Sequence, residues 1–337
     1  METICFSEEC DGKLIVIDRT GSGKSHILRM VATMTGGIIL VIVPLLSLTA
    51  DQMAKIRVAL MSEGSVEAHH ADEIPTELLN EIVIPRMHEI GYNSTSTMFI
   101  FTSPQKLANT QPLLDALFTC HQNQTLRLVT IDEAHLYAQH GRSFRESLRV
   151  LTSVFFTVLF RIGHWHPLFL AMTATMTMDL LPLFSELTTV DWSLPCHQMW
   201  SDWYDFQQRN IVLNFEVVDH MGRAYPTLTN HLKEQHPDAS SFVFVNFRSE
   251  CETVSKAIED MIIQQRLPFD HLVVHGHQDK HKKIGYISLF NGSLVMENFL
   301  AQILISTAAA NTGIDKDTIE MVLRKGVPRD LITLFQE

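Results

Sequence analysis

The sequence predicts an α/β protein with two tandem lobes, each built on a parallel β-sheet. Three observations lead to this prediction. Apolar runs of strand length alternate with helical patterns along most of the 337 residues, which is the order that parallel strands with right-handed crossovers require. Residues 38–43 are continuously apolar and rich in β-branched side chains, as in a strand buried on both faces. The alternation starts again after a stretch at 179–210 that contains three of the four tryptophans.

The elements of the first lobe follow from these patterns in chain order. Residues 14–17 are apolar and precede a glycine-rich loop, so they predict a strand, and the period of 26–34 predicts a helix. Further strands are predicted at 38–43, 98–101, 126–129 and 167–172, and further helices at 51–60 and 105–108. Residues 61–97 are polar and irregular, and we expect a helix and loops there.

The second lobe repeats the pattern of strand and helix. Strands are predicted at 211–218, 241–245, 271–274, 303–306 and 321–323, with a helix at 250–264. We therefore expect a first lobe at 1–195, a linker at 196–210 and a second lobe at 211–337.

A glycine loop joins the first predicted strand to the first predicted helix. Its sequence is Thr20-Gly21-Ser22-Gly23-Lys24-Ser25. Glycines let backbone N–H groups turn inward, and the helix N-terminus adds partial positive charge, so the loop predicts a site for the phosphates of ATP. Lys24 is expected to reach the β- and γ-phosphates, and the Ser25 hydroxyl to ligate Mg²⁺. The strict pattern has glycine at position 18, where this chain has Asp18, whose charge we expect to point away from the phosphates or to weaken binding.

Two adjacent carboxylates, Asp132 and Glu133, follow the strand predicted at 126–129. At the carboxyl end of a buried parallel strand, Asp132 is expected to hold Mg²⁺ and Glu133 to orient or deprotonate the attacking water. An isolated pair of this kind is weak evidence, because most such pairs are solvated strand ends. The glycine loop upstream strengthens the prediction.

Composition narrows the classes of function. The chain has a net charge of −12, which argues against nonspecific coating of nucleic acid but allows a local basic groove. Its five cysteines form no Cys-x-x-Cys pair, so neither a zinc site nor a disulfide framework is expected. The histidine pairs at 69–70, 164–166 and 275–277 lack suitably spaced cysteine or carboxylate partners. The longest apolar runs, 38–46 and 154–160, are too short to span a bilayer.

The motifs taken together resemble the RecQ-type DNA helicases of helicase superfamily two. The resemblance runs nearly end to end. It rests on residues 43–48 with Asp51-Gln52 (motif Ia), 131–135 (motif II), 139–145 (the aromatic-rich loop), 171–175 (motif III), 242–248 (motif IV) and 305–316 (motif V). It implies two RecA-like (P-loop NTPase) lobes, with ATP held between them, and motion on DNA in the 3′–5′ direction.

The resemblance also implies roles for individual residues. His135 joins Lys24, Asp132 and Glu133 in catalysis. Gly313 and Asp315 of the second lobe close on the nucleotide. The residues implied in nucleic-acid binding, to single strands and duplex junctions, are Ser103, Phe144, Arg145, Arg248 and Thr307. Thr173 and Thr175 are expected to link the carboxylate pair to the DNA-facing surface.

Some positions depart from the family pattern. His140 stands where the family usually has tryptophan, which is expected to weaken coupling between DNA and ATP hydrolysis. The family has a glutamine motif upstream of the phosphate loop, and this chain has almost no room for it there. The chain also ends before the arginines of the family's motif VI. Because such arginines stabilise the transferring phosphoryl group, we expect this chain to bind Mg·ATP and to hydrolyse it slowly by itself.

Two other readings stay open. One is an RNA helicase of the wider DEAH group, and the other is a degenerate fragment that binds nucleotide or DNA without unwinding. The cysteine usage predicts reduced thiols in an intracellular compartment, which is the nucleus in a eukaryote and the cytoplasm otherwise.

Overall fold

The structure is a computed structural model that divides into two units, Met1–Asn210 and Ile211–Glu337. It describes residues 11–19, 22–43, 53, 56, 66–92, 94, 96–139, 145–162, 165–200, 230, 239–292, 294–296, 300–307, 314, 316 and 318–326.

The first unit is built on a parallel sheet of seven strands. The strands are β1 (Lys13–Ile17), β2 (Gly37–Ile42), β3 (Val66–His70), β4 (Thr97–Thr102), β5 (Leu126–Ile131), β6 (Leu168–Thr173) and β7 (Gln198–Trp200). Their order across the sheet is β3-β4-β2-β5-β6-β1-β7. Every pair in this sheet is parallel, so the carboxyl ends of all seven strands lie along one edge.

Helices connect these strands. They are α1 (Lys24–Thr35), α2 (Thr76–Leu78), α3 (Ile84–Glu89), α4 (Pro104–Asn109), α5 (Gln111–Gln122), α6 (Ala134–Gln139), α7 (Arg145–Val150), α8 (Thr157–Arg161) and α9 (Leu181–Thr188). Wider π-helical turns at Leu79–Val83 and Leu151–Phe156 join α2 to α3 and α7 to α8, and a short 3₁₀ turn covers Pro195–His197.

Both faces of this sheet are covered. On β2, Ile38, Leu40 and Ile42 belong to one core cluster. Ile39 and Val41 belong to the other, together with residues of α1. Alternate residues of one strand therefore enter two different cores, which is why the run reads as continuously apolar and not as alternating.

Trp192, in the stretch after β6, packs into the first core. Its ring is fully buried in the first core and lies against Phe169 and Phe184, and its Nε1–H donates to Thr188 Oγ1 at 2.7 Å. The nearby strand β7 pairs with β1 and so adds residues 198–200, which the sequence analysis placed in the linker, to the first sheet.

Strand β3 was not predicted from the sequence. It lies at the edge of the sheet and pairs with β4 alone. Its sequence, VEAHH, is half polar because an edge strand can leave side chains partly exposed, and its burial alternates accordingly. The prediction of a helix and loops throughout 61–97 was therefore wrong at Val66–His70.

The second unit has a parallel sheet of four strands. These are β8 (Ser240–Phe244), β9 (Asp270–Val274), β10 (Ala301–Ser306) and β11 (Ile319–Arg324). Their order is β11-β8-β10-β9, and two helices, α10 (Arg248–Gln265) and α11 (Lys280–Phe290), connect them. Separate core clusters cover the two faces, one of them containing Val254 and Ile258 of α10 and the other Phe290 of α11.

The remaining strands agree with the sequence analysis to within about a residue or two at their ends. The predicted helix at 51–60 lies outside the described residues apart from positions 53 and 56, and the predicted strand at 211–218 lies outside them entirely. Within the described part of the chain, none of the helices is both long and apolar enough to cross a membrane.

Candidate functional site

The candidate site lies at the carboxyl edge of the first sheet, where β6 separates β1 from β5. Ile17, the last residue of β1, pairs with Thr173, the last residue of β6. The Asp18 N–H donates to the Thr173 carbonyl oxygen at 3.1 Å, and the Asp132 N–H donates to the carbonyl oxygen of Ile42 at 3.0 Å. The loops that follow β1, β5 and β6 therefore begin side by side.

The glycine loop enters α1 through a left-handed residue. Gly23 has φ +93°, a conformation that glycine adopts without strain, and its carbonyl accepts from the His26 N–H at 2.7 Å. Ser22 Oγ is buried and has no hydrogen-bond partner among the described residues, whereas Ser25 is exposed on the first helical turn. Thr20 and Gly21 lie outside the described residues.

Lys24 reaches back across the loop. Its ammonium group donates to the carbonyl oxygens of Asp18 and Arg19, each at 2.7 Å. Burial lowers its pKa, while the charges of Glu133, Asp18 and Asp132 act in the opposite direction. Lys24 is therefore within electrostatic range of both carboxylates of the predicted pair, Asp132 and Glu133. Asp18 in turn accepts from the Arg19 N–H at 2.7 Å, so its carboxylate is engaged within the loop.

The carboxylate pair differs in environment. Asp132 is 8% exposed, and its Oδ1 accepts from the Glu133 N–H at 3.0 Å. Glu133 has φ +49°, an uncommon conformation outside glycine that is found preferentially at functional sites. Burial, and then the charge of Asp132, raise the pKa of Glu133 to about 7, while Lys24 lowers it. A carboxylate with this pKa, whose side chain is still 28% exposed, is suited to exchange a proton with water near neutral pH.

His135 connects the carboxylate loop to the loop after β6. Its fully buried ring places Nδ1 at 2.7 Å from Thr173 Oγ1 and at 3.4 Å from Glu133 Oε2. Thr173 Oγ1 also accepts from the Thr175 N–H at 3.2 Å. Thr173 thus contacts His135 through its hydroxyl and the start of the glycine loop, at Asp18, through its carbonyl.

The donor set fits Mg²⁺ and a triphosphate. Asp132 and Ser25 offer the hard oxygen ligands that Mg²⁺ prefers, and Lys24 offers a cation to phosphate oxygens. The buried, unpartnered hydroxyl of Ser22 is a polar atom that a bound anion would satisfy. Across the described ranges there is no group of three or more His, Cys, Asp or Glu that could hold a metal.

Sequence reasoning missed Asp72, which follows the unpredicted strand β3. Its carboxylate accepts from the Ser103 N–H at 2.7 Å and also bonds to Ser103 Oγ. Ser103 Oγ in turn accepts from the Lys106 N–H at 3.1 Å and caps α4. Ser103 is buried, so its hydroxyl serves this local network, and its implied contact with nucleic acid stays a prediction.

Tyr137 is a second residue without a sequence signal. It is 4% exposed, and its hydroxyl has no hydrogen-bond partner among the described residues. Burial raises its pKa well above the ordinary value, and the charges of Asp132 and Asp72 act in the same direction. It lies one turn into α6, the helix that follows the carboxylates, and only the tertiary structure brings it near Asp72.

The other residues implied by the resemblance are scattered over both units. Arg248 begins α10, and Thr307 follows β10, both at the carboxyl edge of the second sheet. Arg145 begins α7, but its side chain is not described. Phe144, His140, Gly313 and Asp315 lie outside the described residues.

Comparison with protein families gives two matches. Residues 4–181 match the DEAD/DEAH box helicase family, which covers more than half of the chain. Residues 223–337 match the helicase conserved C-terminal domain.

Curated relatives agree with these matches. The chain is 25% identical over 336 residues to the ATP-dependent DNA helicase RecQ of Bacillus subtilis, covering 100% of this chain and 50% of that protein. It is 25% identical over 331 residues to the ATP-dependent DNA helicase Q-like 4B of Arabidopsis thaliana, covering 97% of this chain and 25% of that protein. The chain therefore spans half or less of the length of these relatives.

Solved structures share the fold. The DUF1998 helicase MrfA bound to DNA and AMPPNP matches with a TM-score of 0.68 at 16% identity, over 99% of this chain and 44% of that chain. The Saccharomyces cerevisiae Dbp5 bound to RNA and ADP BeF3 matches with a TM-score of 0.64 at 13% identity, over 96% of this chain and 74% of that chain.

Proposed function

Because the chain is a RecQ-type member of the DEAD/DEAH box helicase family, we propose that it is an ATP-dependent motor that unwinds DNA in the 3′–5′ direction. One observation supports this proposal above the others. Lys24, Asp132 and Glu133 lie within electrostatic range of one another at the carboxyl edge of the first sheet. This is the arrangement that a magnesium nucleotide needs from a protein.

The roles of the residues follow from their chemistry. Lys24 exchanges the carbonyls of Asp18 and Arg19 for phosphate oxygens, because a charged acceptor binds an ammonium group more strongly than a neutral carbonyl. Ser25 and Asp132 would hold Mg²⁺, which would neutralise charge on the phosphates. Glu133 would orient the attacking water and accept its proton as the phosphoryl group is transferred, and its raised pKa makes it a stronger base than an ordinary carboxylate.

His135 and Thr173 transmit the state of this site. The 2.7 Å contact between His135 Nδ1 and Thr173 Oγ1 joins the carboxylate loop to the strand end that leads toward Thr175. Thr175 Oγ1 is itself buried without a partner among the described residues, so a shift of this loop can satisfy it. Coupling between nucleotide and nucleic acid would pass through this contact.

The partner that we propose is DNA, in single strands and at duplex junctions. The bound DNA in the MrfA structure and the names of the curated relatives support this choice. Phe144, Arg145, Ser103, Arg248 and Thr307 are the proposed contacts, and Gly313 and Asp315 are proposed to touch the nucleotide. The bound RNA in the Dbp5 structure keeps an RNA-dependent ATPase as the second candidate. Stimulation of ATP hydrolysis by DNA but not by RNA would separate the two.

The proposed DNA partner determines the cellular compartment in which we expect the chain to act. We propose that the chain acts where chromosomal DNA is held, in the nucleus of a eukaryote or the cytoplasm of a bacterium. Fluorescence microscopy of the tagged full-length protein in its own host tests this, and exclusion from the DNA-containing compartment would contradict it.

Nucleotide binding gives the direct test of the site. Lys24→Ala is expected to weaken Mg²⁺-dependent binding of a fluorescent ATP analogue at least about tenfold, because it removes a charge-assisted contact to phosphate worth about 1.5–3 kcal/mol. Lys256→Ala, which changes an exposed lysine on α10, serves as the matched control and should bind as the wild type does. Equal affinity of the Lys24→Ala and wild-type proteins would refute the proposed site.

ATP hydrolysis and the direction of unwinding are measured in the same set of experiments. Glu133→Gln is expected to keep nucleotide binding and to lose hydrolysis. Strand-separation assays on duplexes with a 3′ or a 5′ tail test the proposed direction. A nucleotide-binding chain that hydrolyses no ATP with any nucleic acid would favour the binding fragment over the motor.

A further inference from the structure

Phe247 is the most exposed of the described aromatic residues, with 60% of its surface open to solvent. It follows β8 and stands at the N-cap of α10, an 18-residue helix. Ser, Thr, Asp and Asn are preferred at this position because their oxygens accept from the first helical N–H groups. Phenylalanine has no acceptor and makes no such bond here.

Glu250 replaces only part of the hydrogen bonding that the missing N-cap side chain would provide. Its Oε2 accepts from the N–H groups of Asn246 and Phe247, both at 3.1 Å, and its Oε1 lies 3.0 Å from Lys325 Nζ. These contacts hold the backbone on either side of the ring. They do not replace the acceptor that residue 247 would supply to the helix, and they leave the ring exposed. Phenylalanine at position 247 therefore neither caps the helix nor buries its aromatic ring.

Basic side chains follow the strands on the same edge of the second sheet as Phe247. The Arg248 side chain is 55% exposed and lies 3.9 Å from Glu252. His275 and His277 follow β9. Burial, and then the charges of Arg248 and His277, lower the pKa of His275, so this imidazole is neutral near pH 7 and the positive charge of the edge comes from the arginines and Lys325. Arg324, at the end of β11, donates from Nη2 to Asn246 Oδ1 at 2.7 Å.

Among the described residues, the acidic groups on this edge are Glu250, Glu252 and Asp279, and the first two face cations. Asp279 caps α11, where its carboxylate accepts from the N–H groups of His281 and Lys282. Glu250 is engaged by Lys325 and by the two backbone N–H groups, and Glu252 lies against Arg248 at the outer limit of an ion pair. In a chain with a net charge of −12, this edge carries cations beside an open ring. Proteins bind single-stranded nucleic acid with cations that neutralise its phosphates and with exposed aromatic rings on which its bases stack.

We propose that Phe247 is a stacking platform for one base of a bound single strand, with Arg248 contacting the adjacent phosphate. This inference rests on the proposed function and adds to it the residue that contacts a base in the second unit. Stacking is tolerant of sequence, because every base has a π-face, so the contact would grip the strand without selecting a sequence.

The test uses the substitution Phe247→Ser. Serine removes the ring and supplies the missing helix cap, so stability and binding are expected to change in opposite senses. Affinity for a short oligothymidylate, measured by fluorescence anisotropy, is expected to fall about fivefold or more, the loss of one stacked base. The midpoint of thermal unfolding is expected to stay equal or rise. Phe247→Tyr, which keeps the ring, is expected to keep the affinity.

An abasic strand of the same length isolates the contribution of the ring. It carries the phosphates without the bases, so the wild type should prefer the base-containing strand and Phe247→Ser should lose that preference. A wild-type preference that Phe247→Ser retains in full would overturn the proposal. Oligouridylate is expected to behave like oligothymidylate, since both offer a base to the ring.

Two further measurements separate this inference from the proposed function. Mg²⁺-dependent binding of the ATP analogue is expected to be unchanged in Phe247→Ser. A wild type that binds no single strand at all would overturn both the stacking site and the proposed nucleic-acid function. If the wild type self-associates in sedimentation experiments and Phe247→Ser is a monomer with unaltered strand binding, the ring is a contact between copies and the stacking proposal is wrong.

Discussion

At the scale of single residues, Glu133 shows how environment changes the acidity of an ordinary side chain. Its backbone is held in the left-handed region at φ +49°, and its carboxyl group shares a poorly solvated edge with Asp132. Two neighbouring carboxylates cannot both ionise easily there, so the pKa of Glu133 rises, as its proposed role of proton acceptor requires. The charge of Lys24 acts in the opposite direction and limits this shift.

The raised pKa makes a prediction about stability. Between the ordinary value of 4.5 and about 7, the folded chain keeps a proton on Glu133 that the unfolded chain has released. The folded state then binds more protons, so the free energy of unfolding falls as the pH rises through this window. Glu133→Gln removes this loss and is expected to be roughly 1–3 kcal/mol more stable than the wild type above pH 7, and about equal to it below pH 4.5.

Urea unfolding in magnesium-free buffer measures this difference. Glu186→Gln, which alters an exposed glutamate on α9, is the control and should track the wild type at every pH. A stability difference between Glu133→Gln and the wild type that does not change with pH would show that Glu133 has an ordinary pKa.

At the scale of elements, β2 is the strand around which the first sheet is organised. It pairs with β4 on one side and β5 on the other, and its residues enter both cores. The chain enters it through Gly36 and Gly37, which have φ +61° and +75°. A Cβ on Gly37 would lie 2.7 Å from the carbonyl oxygen of Thr125, which itself accepts from the Ile38 N–H at 2.8 Å. The entry into the central strand therefore requires glycine.

Gly37→Ala is expected to destabilise the first unit by about 2–4 kcal/mol, the sum of a left-handed backbone and an overpacked contact with backbone atoms. The matched control is Gly91→Ala, where φ is not positive and nothing lies within 4 Å of the added Cβ. Thermal unfolding followed by circular dichroism measures both. Equal midpoints for the two variants would contradict the close contact at Gly37.

At the scale of the whole molecule, charge limits how nucleic acid can be bound. The chain has 26 Lys and Arg against 38 Asp and Glu, so its long-range field repels phosphate. For the proposed nucleic-acid binding, we therefore expect a few local cations and stacking to supply the affinity in place of an extended basic surface. Stacking depends little on salt, whereas each phosphate contact on a single strand contributes about 0.7 to the salt slope.

The expected dependence on salt is accordingly shallow. A plot of log affinity for oligothymidylate against log salt concentration should have a slope between about −1 and −3, corresponding to only a few phosphate contacts. Arg248→Gln should make this slope shallower by about 0.7. Fluorescence anisotropy over a salt series gives both values. A slope of about −5 or steeper would mean an extended basic contact surface that the composition does not suggest.

The sequence by itself determined the class of fold, most strands and the positions of the glycine loop and the carboxylate pair. Those features depend on local pattern, since a buried parallel strand is a short apolar run and a phosphate loop needs glycines before a helix. Lys24, Ser25, Asp132 and Glu133 were therefore predicted as site residues from local sequence alone, and their roles stay predictions. Strand β3 was missed because a half-polar edge strand lacks that local signal.

Only the tertiary structure decided which of these residues face one another. The placement of β6 between β1 and β5, the bond from Asp72 to Ser103 and the burial of Tyr137 all depend on pairings between residues far apart in the chain. The raised pKa of Glu133 likewise depends on the low solvation and neighbouring charge that these pairings create. Strand order and burial are set by the global packing of both sheet faces, and local sequence does not encode them.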